Sequence, residues 1–435
     1  MNHVSALSPQ WVHDSPILSD VDAKLRRLLV ELGTVGRIIG IQVCAYKDGK
    51  VIIDTAAGVL GKDDPRPVQN DSLFPVFSVT KGVTAGIVHW LADNGKLKLD
   101  ENVANIWPEF GKNGKDQIQV NHVLNHTAGL HNALANLTKD PQSYCDWDEC
   151  LKRIVMVATE TEPGHQQLYH YLSYGWLCGG IIEHATGKKF HDILKDAFSC
   201  PLNVEDEFYI GIPPGVESRV ATVTMDPSDL DMVPIFLADT SSSPMPFPLS
   251  PASFEEASRI ISLTNELNVR RAKIPAANGH FSARALARFY AALVDGGVVP
   301  LPHPLTTMKT NETIDISDDV DTKIFTKTKV DIHDAFLGSG DYKDLIFPNK
   351  RFGLGFGRFN AVDGSVIGFG VVGLGGSVGY CDISNRFAIS VTLNKLTLGG
   401  FTGEIIRFVC SELDLPVPAD YAESTKKLLE TPVIN

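Results

Sequence analysis

The sequence predicts an α/β fold in which an antiparallel sheet is flanked by helices and carries a mostly helical insertion. Strand-like segments lie near both ends of the chain, whereas the segment from about 99 to 300 is mostly helical and rich in loops. The economical arrangement pairs the strands from the two ends in one sheet. The predicted domains are a sheet domain of residues 20–98 plus 350–415 and a helical insertion of residues 99–349.

Two neighbouring segments near the start of the chain predict a β-hairpin. Residues 39–46 alternate between two faces of a strand, and residues 50–57 begin with a β-branched run. Asp48-Gly49 between them is a strong signal for a two-residue hairpin turn.

A helix is predicted to follow from Gly82 to Asn94, because apolar residues recur there at helical spacing. Gly95 is a natural stop. Residues 74–77 predict an extended approach to this helix.

The remaining elements follow from periodicity and turn signals. The predictions are helices at 148–157, 174–187, 189–198, 282–295 and 401–413, strands at 353–359, 377–382 and 387–394, a Ser/Pro-rich loop at 239–253, and a polar, partly mobile segment at 310–334.

Composition narrows the possible partners and the compartment. The net charge is −13 and no long basic run occurs, which argues against nucleic acid or an anionic membrane surface as the main partner. No stretch approaches the roughly 20 apolar residues of a membrane span. The first residues lack the features of a signal or transit peptide. The seven cysteines include no C-x-x-C pair and indicate buried thiols in a reducing, cytoplasmic environment.

A hydroxyl and an amine stand three residues apart where the first helix should begin. Ser78 and Lys81 would share a helix face, so their side chains can meet. A serine is a poor nucleophile until a base takes its proton, and a desolvated lysine can be that base. The alternative is an N-cap serine and a solvated lysine. The pattern recurs at Ser424 and Lys427 in a polar tail, so alone it is not specific.

A tyrosine on a loop ahead of a helix is the second candidate. Pro163-Gly164 indicates a turn, and Tyr169 lies between that turn and the predicted helix at 174–187. A cleft tyrosine can relay a proton when a cation lowers its pKa. Tyr171 and Tyr174 are equally eligible by chemistry, and a core tyrosine is the alternative.

A glycine-rich segment is the third candidate. Gly373 to Ser377 leads into a strand, and glycines let the backbone approach a ligand closely. The backbone N–H groups of Leu374 and Ser78 are predicted to form an oxyanion hole. A plain tight turn is the alternative.

Together these segments resemble a known family. They occur in the order Phe77-Ser78-Val79-Thr80-Lys81, Leu124-Asn125-His126-Thr127-Ala128-Gly129-Leu130, Tyr169-His170-Tyr171-Leu172-Ser173-Tyr174-Gly175-Trp176 and Gly373-Leu374-Gly375-Gly376-Ser377. As an ordered set they resemble the serine β-lactamase-like family, which includes class C β-lactamases, DD-peptidases, esterases and a transacylase branch. The resemblance covers roughly residues 20–415. It looks closest to plant proteins in which this module follows an atypical-kinase region.

The resemblance implies a role for each matched residue. Ser78 matches the acylated nucleophile, Lys81 its proton acceptor, and Tyr169 the tyrosine of a Tyr-x-Asn motif. The amides of Ser78 and Leu374 match the oxyanion hole, and His126 matches a position that we interpret as structural. The resemblance implies a small-molecule substrate, and no cofactor is expected.

Two positions depart from the family pattern. Tyr171 stands where the motif has asparagine, and Val371 stands where the family has Lys or His. A valine cannot bind the carboxylate of a penicillin or a peptidoglycan stem. We therefore expect poor β-lactamase or peptidase activity and a neutral, lipophilic substrate. The predicted substrate-binding residues are Tyr171, Val371, Gly373 and Gly375.

Three functional hypotheses follow, and the first is preferred. The first is acyl chemistry, by hydrolysis or transfer, on a small neutral ester, thioester or lactone through an acyl-enzyme at Ser78. The second keeps the pocket for a cyclisation, elimination or isomerisation in plant specialised metabolism, with Lys81 and Tyr169 as acid and base. The third is a catalytically silent binding module, with the cleft blocked by Tyr171 or the 239–253 loop.

A metal site is disfavoured. His122 and His126 have the i, i+4 spacing of zinc ligands on a helix, but the glutamate that should follow the first histidine is Val123. The sequence does not identify the oligomeric state.

Overall fold

A computed structural model describes residues 11–135, 141–225, 261–303, 322–346, 351–397 and 400–422. The predicted loop at 239–253, the first part of the polar segment at 310–334 and the second S-x-x-K pattern at Ser424 lie outside these residues.

A six-stranded antiparallel sheet joins the two ends of the chain, in the order β2-β1-β10-β9-β8-β7. The strands are β1 Gly40–Lys47, β2 Lys50–Gly58, β3 Phe74–Pro75, β4 Phe208–Ile210, β5 Thr224–Met225, β6 Gly279–Phe281, β7 Gly357–Asn360, β8 Val366–Val372, β9 Val378–Asp382, β10 Phe387–Leu393 and β11 Lys395–Leu396. The junction is β1 against β10, where Ile41 pairs with Leu393 and Lys47 with Phe387. The predicted antiparallel sheet is confirmed.

The β1–β2 hairpin has the predicted turn. Asp48 has φ +52° and Gly49 has φ +74°, so both residues are in the left-handed region. Two such residues make the turn whose twist matches that of a hairpin, and Lys47 pairs directly with Lys50.

Helices cover both faces of the sheet. The α-helices that lie wholly within the described residues are α1 Asp20–Thr34, α2 Val79–Asp93, α3 Val103–Ile106, α4 Val120–Leu124, α5 Trp147–Met156, α6 Ser173–Thr186, α7 Phe190–Leu194, α8 Leu267–Arg271, α9 Ala283–Val294, α10 Lys329–Leu337, α11 Gly400–Glu412 and α12 Ala419–Ala422. Ile41 and Val43 of β1 face the core shared with α1 and α11, whereas Cys44 and Tyr46 face the larger core shared with α2, α6 and α9. This alternation along β1 is the predicted one.

Most predicted helices are found within two residues of their expected ends, whereas the sequence-based prediction failed at four elements. Of the strand expected at 353–359, only the part from Gly357 onward is a strand, and both α1 and β8 were missed. The helix expected at 189–198 ends at Leu194 and continues as a π-helical turn.

The missed strand β8 has a physical explanation. Gly368 and Gly370 resemble turn signals in the sequence. In the sheet, a Cβ on Gly368 would lie 1.7 Å from the Cys381 carbonyl oxygen, and one on Gly370 would lie 2.2 Å from that of Gly379. These glycines therefore serve close strand approach instead of a turn.

A small second sheet, in the order β3-β6-β4, lies at the start of α2. Val76 donates its backbone N–H to the Gly279 carbonyl oxygen at 2.9 Å, and Phe74 pairs with Phe281. The entry into α2 is thus fixed to a segment about 200 positions further along the chain. Within the described residues, no helix combines the length and apolar character needed to cross a bilayer.

Candidate active site

Ser78 lies where β3 gives way to α2, at the N-cap position, with φ −62° and ψ −12°. Its side chain makes no capping hydrogen bond, so the alternative interpretation of Ser78 as an N-cap residue does not explain why a hydroxyl stands there. The preceding residue, Phe77, has φ +48°, which is unfavourable for a bulky side chain. The backbone N–H and the hydroxyl of Thr80 hold the Phe77 carbonyl. This sharp turn leaves the Ser78 side chain partly exposed.

Lys81 lies beside Ser78 and is removed from water. Its Nζ is 3.1 Å from Ser78 Oγ and 2.9 Å from the Ala276 carbonyl oxygen, and the residue is only 2% exposed. Burial lowers the pKa of Lys81 to about 7. The interpretation of Lys81 as a solvated helix residue is therefore wrong, and a large fraction of the amine is neutral near neutral pH.

The Ala276 carbonyl is a part of this site that the sequence analysis missed. The segment that carries it packs between two helices: Thr84 of α2 donates its hydroxyl to the Pro275 carbonyl oxygen at 2.7 Å. On the α6 side, a Cβ on Gly175 would lie 2.5 Å from the Ala276 backbone nitrogen. No local signal in the sequence marks a backbone carbonyl, so only the packed structure reveals it.

Tyr169 reaches the same place from a loop ahead of α6. The Lys81 Nζ is 4.9 Å from the centroid of the Tyr169 ring. Burial raises the pKa of Tyr169, although the bond with Ser78 opposes that shift. The charge of Arg351 also lowers this pKa, but loss of hydration outweighs both effects, so the net pKa is raised. The phenol is protonated at neutral pH.

The other two tyrosines of the motif occupy different environments. Tyr174 is fully buried in the main core, so its phenol does not face the cleft. The Tyr171 ring is partly exposed and meets the Tyr169 ring edge-on, with centroids 4.8 Å apart. On the other side, the partly exposed Phe352 ring stacks on Tyr169 with centroids 5.5 Å apart. Phe352 is a second neighbour of the site that the sequence analysis missed.

The glycine turn lies against the start of α2. A Cβ on Gly373 would be 2.2 Å from the Val76 carbonyl oxygen, so only glycine allows this approach. Gly373 donates its N–H to the Ser377 carbonyl oxygen at 2.7 Å, which closes the turn. Within the described part of the chain, the backbone N–H groups of Ser78 and Leu374 donate no hydrogen bond. The absence of an acceptor for either group is what the predicted oxyanion hole requires, and that role stays a prediction.

The remaining predicted contact residues differ in exposure. Val371 is 7% exposed, and its Cγ2 would be 3.0 Å from a Cβ on Gly82 of α2. Its side chain therefore packs in the core against α2. Gly375 has φ +83°, and a Cβ there would be 2.4 Å from the Leu396 side chain. Leu374, by contrast, is 43% exposed.

Proteins with similar sequences include esterases. The family model described as Beta-lactamase matches residues 25–408. The esterase/beta-lactamase LipL of Mycobacterium tuberculosis (strain ATCC 25618 / H37Rv) is 30% identical over 368 residues, which are 83% of this chain and 78% of LipL. The esterase EstB of Burkholderia gladioli is 28% identical over 193 residues, 41% of this chain and 49% of EstB.

Solved structures share the whole architecture. A family VIII carboxylesterase superposes with a TM-score of 0.68 at 24% identity, covering 88% of this chain and 94% of that chain. A penicillin-binding protein homologue from Caulobacter crescentus gives a TM-score of 0.67 at 25% identity, covering 93% and 100%. These similarities confirm the predicted fold.

Proposed function

The chain belongs to the beta-lactamase family, and proteins similar to it include esterases. We therefore propose that it hydrolyses small neutral esters, thioesters or lactones through an acyl-enzyme at Ser78. The observation that carries the proposal is the 3.1 Å contact between Ser78 Oγ and the buried amine of Lys81. The family resemblance is confirmed, whereas a closer relation to plant proteins stays a prediction.

The acylation step uses three side chains and two amides. Ser78 Oγ attacks the ester carbonyl carbon while its proton passes to the neutral Lys81 Nζ. The backbone N–H groups of Ser78 and Leu374 stabilise the oxyanion. As the intermediate collapses, the Tyr169 phenol donates its proton to the leaving alkoxide and is reprotonated from Lys81. The products of this step are the alcohol and an ester on Ser78.

Deacylation reverses these roles with water as the nucleophile. Water attacks the Ser78 ester and gives up a proton to the same amine and phenol pair, and Ser78 Oγ leaves as the restored hydroxyl. An alcohol or amine in place of water gives acyl transfer. The overall reaction consumes one water for each ester hydrolysed.

The lining of the cleft favours a neutral substrate. Val371, which stands where the resemblance implies Lys or His, is buried and brings no charge to the site. The exposed side chain of Leu374 and the rings of Tyr171 and Phe352 supply an apolar surface beside the reacting groups. The positive charge of Arg351 lowers the pKa of the Tyr169 phenol. The Arg351 guanidinium forms an ion pair with Asp420 at 3.4 Å.

A matched pair of esters tests this proposal. We expect 4-nitrophenyl butyrate to be hydrolysed with a kcat/KM at least ~10-fold higher than its carboxylate analogue, mono-4-nitrophenyl succinate, because the anion would lose hydration without gaining a partner. The leaving group is the same, so initial rates at 400 nm compare acyl recognition directly. Preferential hydrolysis of the succinate, or of a cephalosporin, would contradict the neutral-substrate proposal.

The rate should depend on pH through Lys81. The active form is the neutral amine, and burial lowers the pKa of Lys81 to about 7. We therefore expect kcat/KM to rise about tenfold per pH unit below 7 and to level off above about 8, because kcat/KM reports the free enzyme. Because the pKa of Tyr169 is raised, its phenol stays protonated, and kcat/KM should remain constant up to pH 9. A profile from pH 5 to 9 that is flat, or that falls as pH rises, would exclude Lys81 as the base.

The hypothesis of a silent binding module is disfavoured by the burial of Lys81. Removing an ammonium group from water is unfavourable, and an apolar residue at this position would fill the same space without that penalty. Catalysis supplies a reason for keeping the amine next to Ser78.

A further inference from the structure

The loop that carries Tyr169 is attached to a single histidine on both sides of the tyrosine. His126 accepts the backbone N–H of Leu168 on its carbonyl oxygen at 2.9 Å. Its ring Nδ1 accepts the backbone N–H of His170 at 3.1 Å. His126 thus accepts hydrogen bonds from the residues immediately before and after Tyr169.

The ring of His126 also supports the tyrosine ring directly. Its centroid is 4.6 Å from that of Tyr169, 4.9 Å from that of Tyr174 and 4.8 Å from that of Phe352. Burial holds the pKa of His126 well below its usual range, and the neighbouring His170 and Lys81 add to the shift. The ring is therefore neutral, and because Nδ1 accepts a hydrogen bond, its proton is on Nε2.

The ring of His170 makes two further hydrogen bonds between the same two segments of the chain. Its Nε2 accepts the backbone N–H of Leu130 at 3.1 Å, so its Nδ1–H donates to the Leu168 carbonyl oxygen at 2.7 Å. Gln167 donates its side-chain amide to the Asn125 carbonyl oxygen at 2.8 Å. The turn at 125–130 and the loop at 164–170 are thus tied together by several bonds.

His126 has the backbone that this role requires. Its φ is +64°, in the left-handed region. Histidine, asparagine and aspartate adopt this region more readily than other residues with side chains. In asparagine, the acceptor Oδ1 is bonded to Cγ, as Nδ1 is in histidine. A His126→Asn substitution can therefore keep the hydrogen-bond acceptor while removing the ring.

We propose that His126 is a positioning residue for Tyr169, holding the phenol in reach of Ser78 and Lys81 through the His170 N–H and through ring contact. The inference rests on the proposed hydrolysis, in which Tyr169 transfers protons. A displacement of about 1 Å in such a group lowers the rate of proton transfer by about 10²-fold. His126 itself touches no reacting atom and acts only through Tyr169.

A double-mutant cycle tests the role. We expect His126→Phe, which removes the Nδ1 acceptor, to lower kcat about 10²-fold with KM nearly unchanged, and His126→Asn to lower it less than ~10-fold. In a Tyr169→Phe background, His126→Phe should lower kcat less than ~3-fold further, because the positioned group is already gone. The same factor in both backgrounds would show a general structural role and overturn the proposal.

A matched control and a measurement without turnover complete the test. His122 also accepts a backbone N–H, from Gln119 at 3.1 Å, and His122→Phe should keep wild-type kcat. The ¹³Cζ resonance of Tyr169, assigned from its loss in Tyr169→Phe, should shift in His126→Phe and stay in place in His122→Phe. An unmoved resonance in His126→Phe overturns the positioning role even if no ester is hydrolysed, whereas a shifted resonance without hydrolysis would reject only the proposed function.

Discussion

Replacing Ser78 with alanine is expected to lower kcat for 4-nitrophenyl butyrate by at least ~10⁴-fold, because the acyl-enzyme can no longer form. The substitution removes one oxygen from a partly exposed position that makes no capping bond, so the fold should be retained. A fluorophosphonate probe should add its mass once to the wild-type protein and not to the variant. Steady-state rates and intact-mass spectra measure both effects.

The control and the contradicting outcome are specific to the covalent mechanism. Ser424→Ala alters the other S-x-x-K pattern of the chain and should leave labelling and turnover unchanged. Full turnover by Ser78→Ala would reject the acyl-enzyme. That result would favour the second hypothesis, in which Lys81 and Tyr169 act alone as acid and base.

Replacing Lys81 with methionine is expected to lower kcat/KM about 10²–10⁴-fold, the usual range for loss of a general base. Methionine has a similar length and is apolar, so it suits a site that is 2% exposed. The rise of the rate through pH 7 should disappear with the amine. Lys96→Met, at an exposed position just beyond the other end of α2, is the matched control and should keep both the rate and its pH profile.

The stability of the Lys81→Met variant should depend on pH with a defined sign. The folded protein holds the Lys81 pKa near 7, well below its usual value, so between about pH 7 and 10 the unfolded chain binds more protons. Wild-type stability therefore gains from this group as pH rises, and carries the full penalty below pH 7. The melting temperature of Lys81→Met, relative to wild type, should be higher at pH 6 than at pH 9. A pH-independent difference, or unchanged activity, would contradict the assignment.

Local signals in the sequence predicted the elements that depend on near neighbours in the chain. The Asp48-Gly49 turn was predictable because both residues tolerate the left-handed backbone that a tight hairpin needs. The end of α6 was predictable because Gly187, with φ +69°, ends it as a left-handed C-cap. The pairing of the two chain ends in one sheet followed from the distribution of strands and helices.

Elements that depend on distant partners were harder to predict. The glycines of β8 have the local signature of a turn and become strand residues only because β9 approaches closely. The burial of Val371 under α2 likewise depends on Gly82, which lies 289 positions earlier in the chain. An amino-acid pattern records neither contact.

For the site itself, the sequence alone determined which groups are present and which of them share a helix face: Ser78 and Lys81 are three residues apart, and that spacing is a property of any α-helix. Only the tertiary structure decided their chemistry. The Lys81 pKa falls because distant segments exclude water from the amine, and the loop that carries Tyr169 is hydrogen-bonded to His126. The spacing of side chains on a helix is a local property, so the sequence indicated the residues. Desolvation depends on every segment that packs around a group, so the fold determined the protonation of these residues.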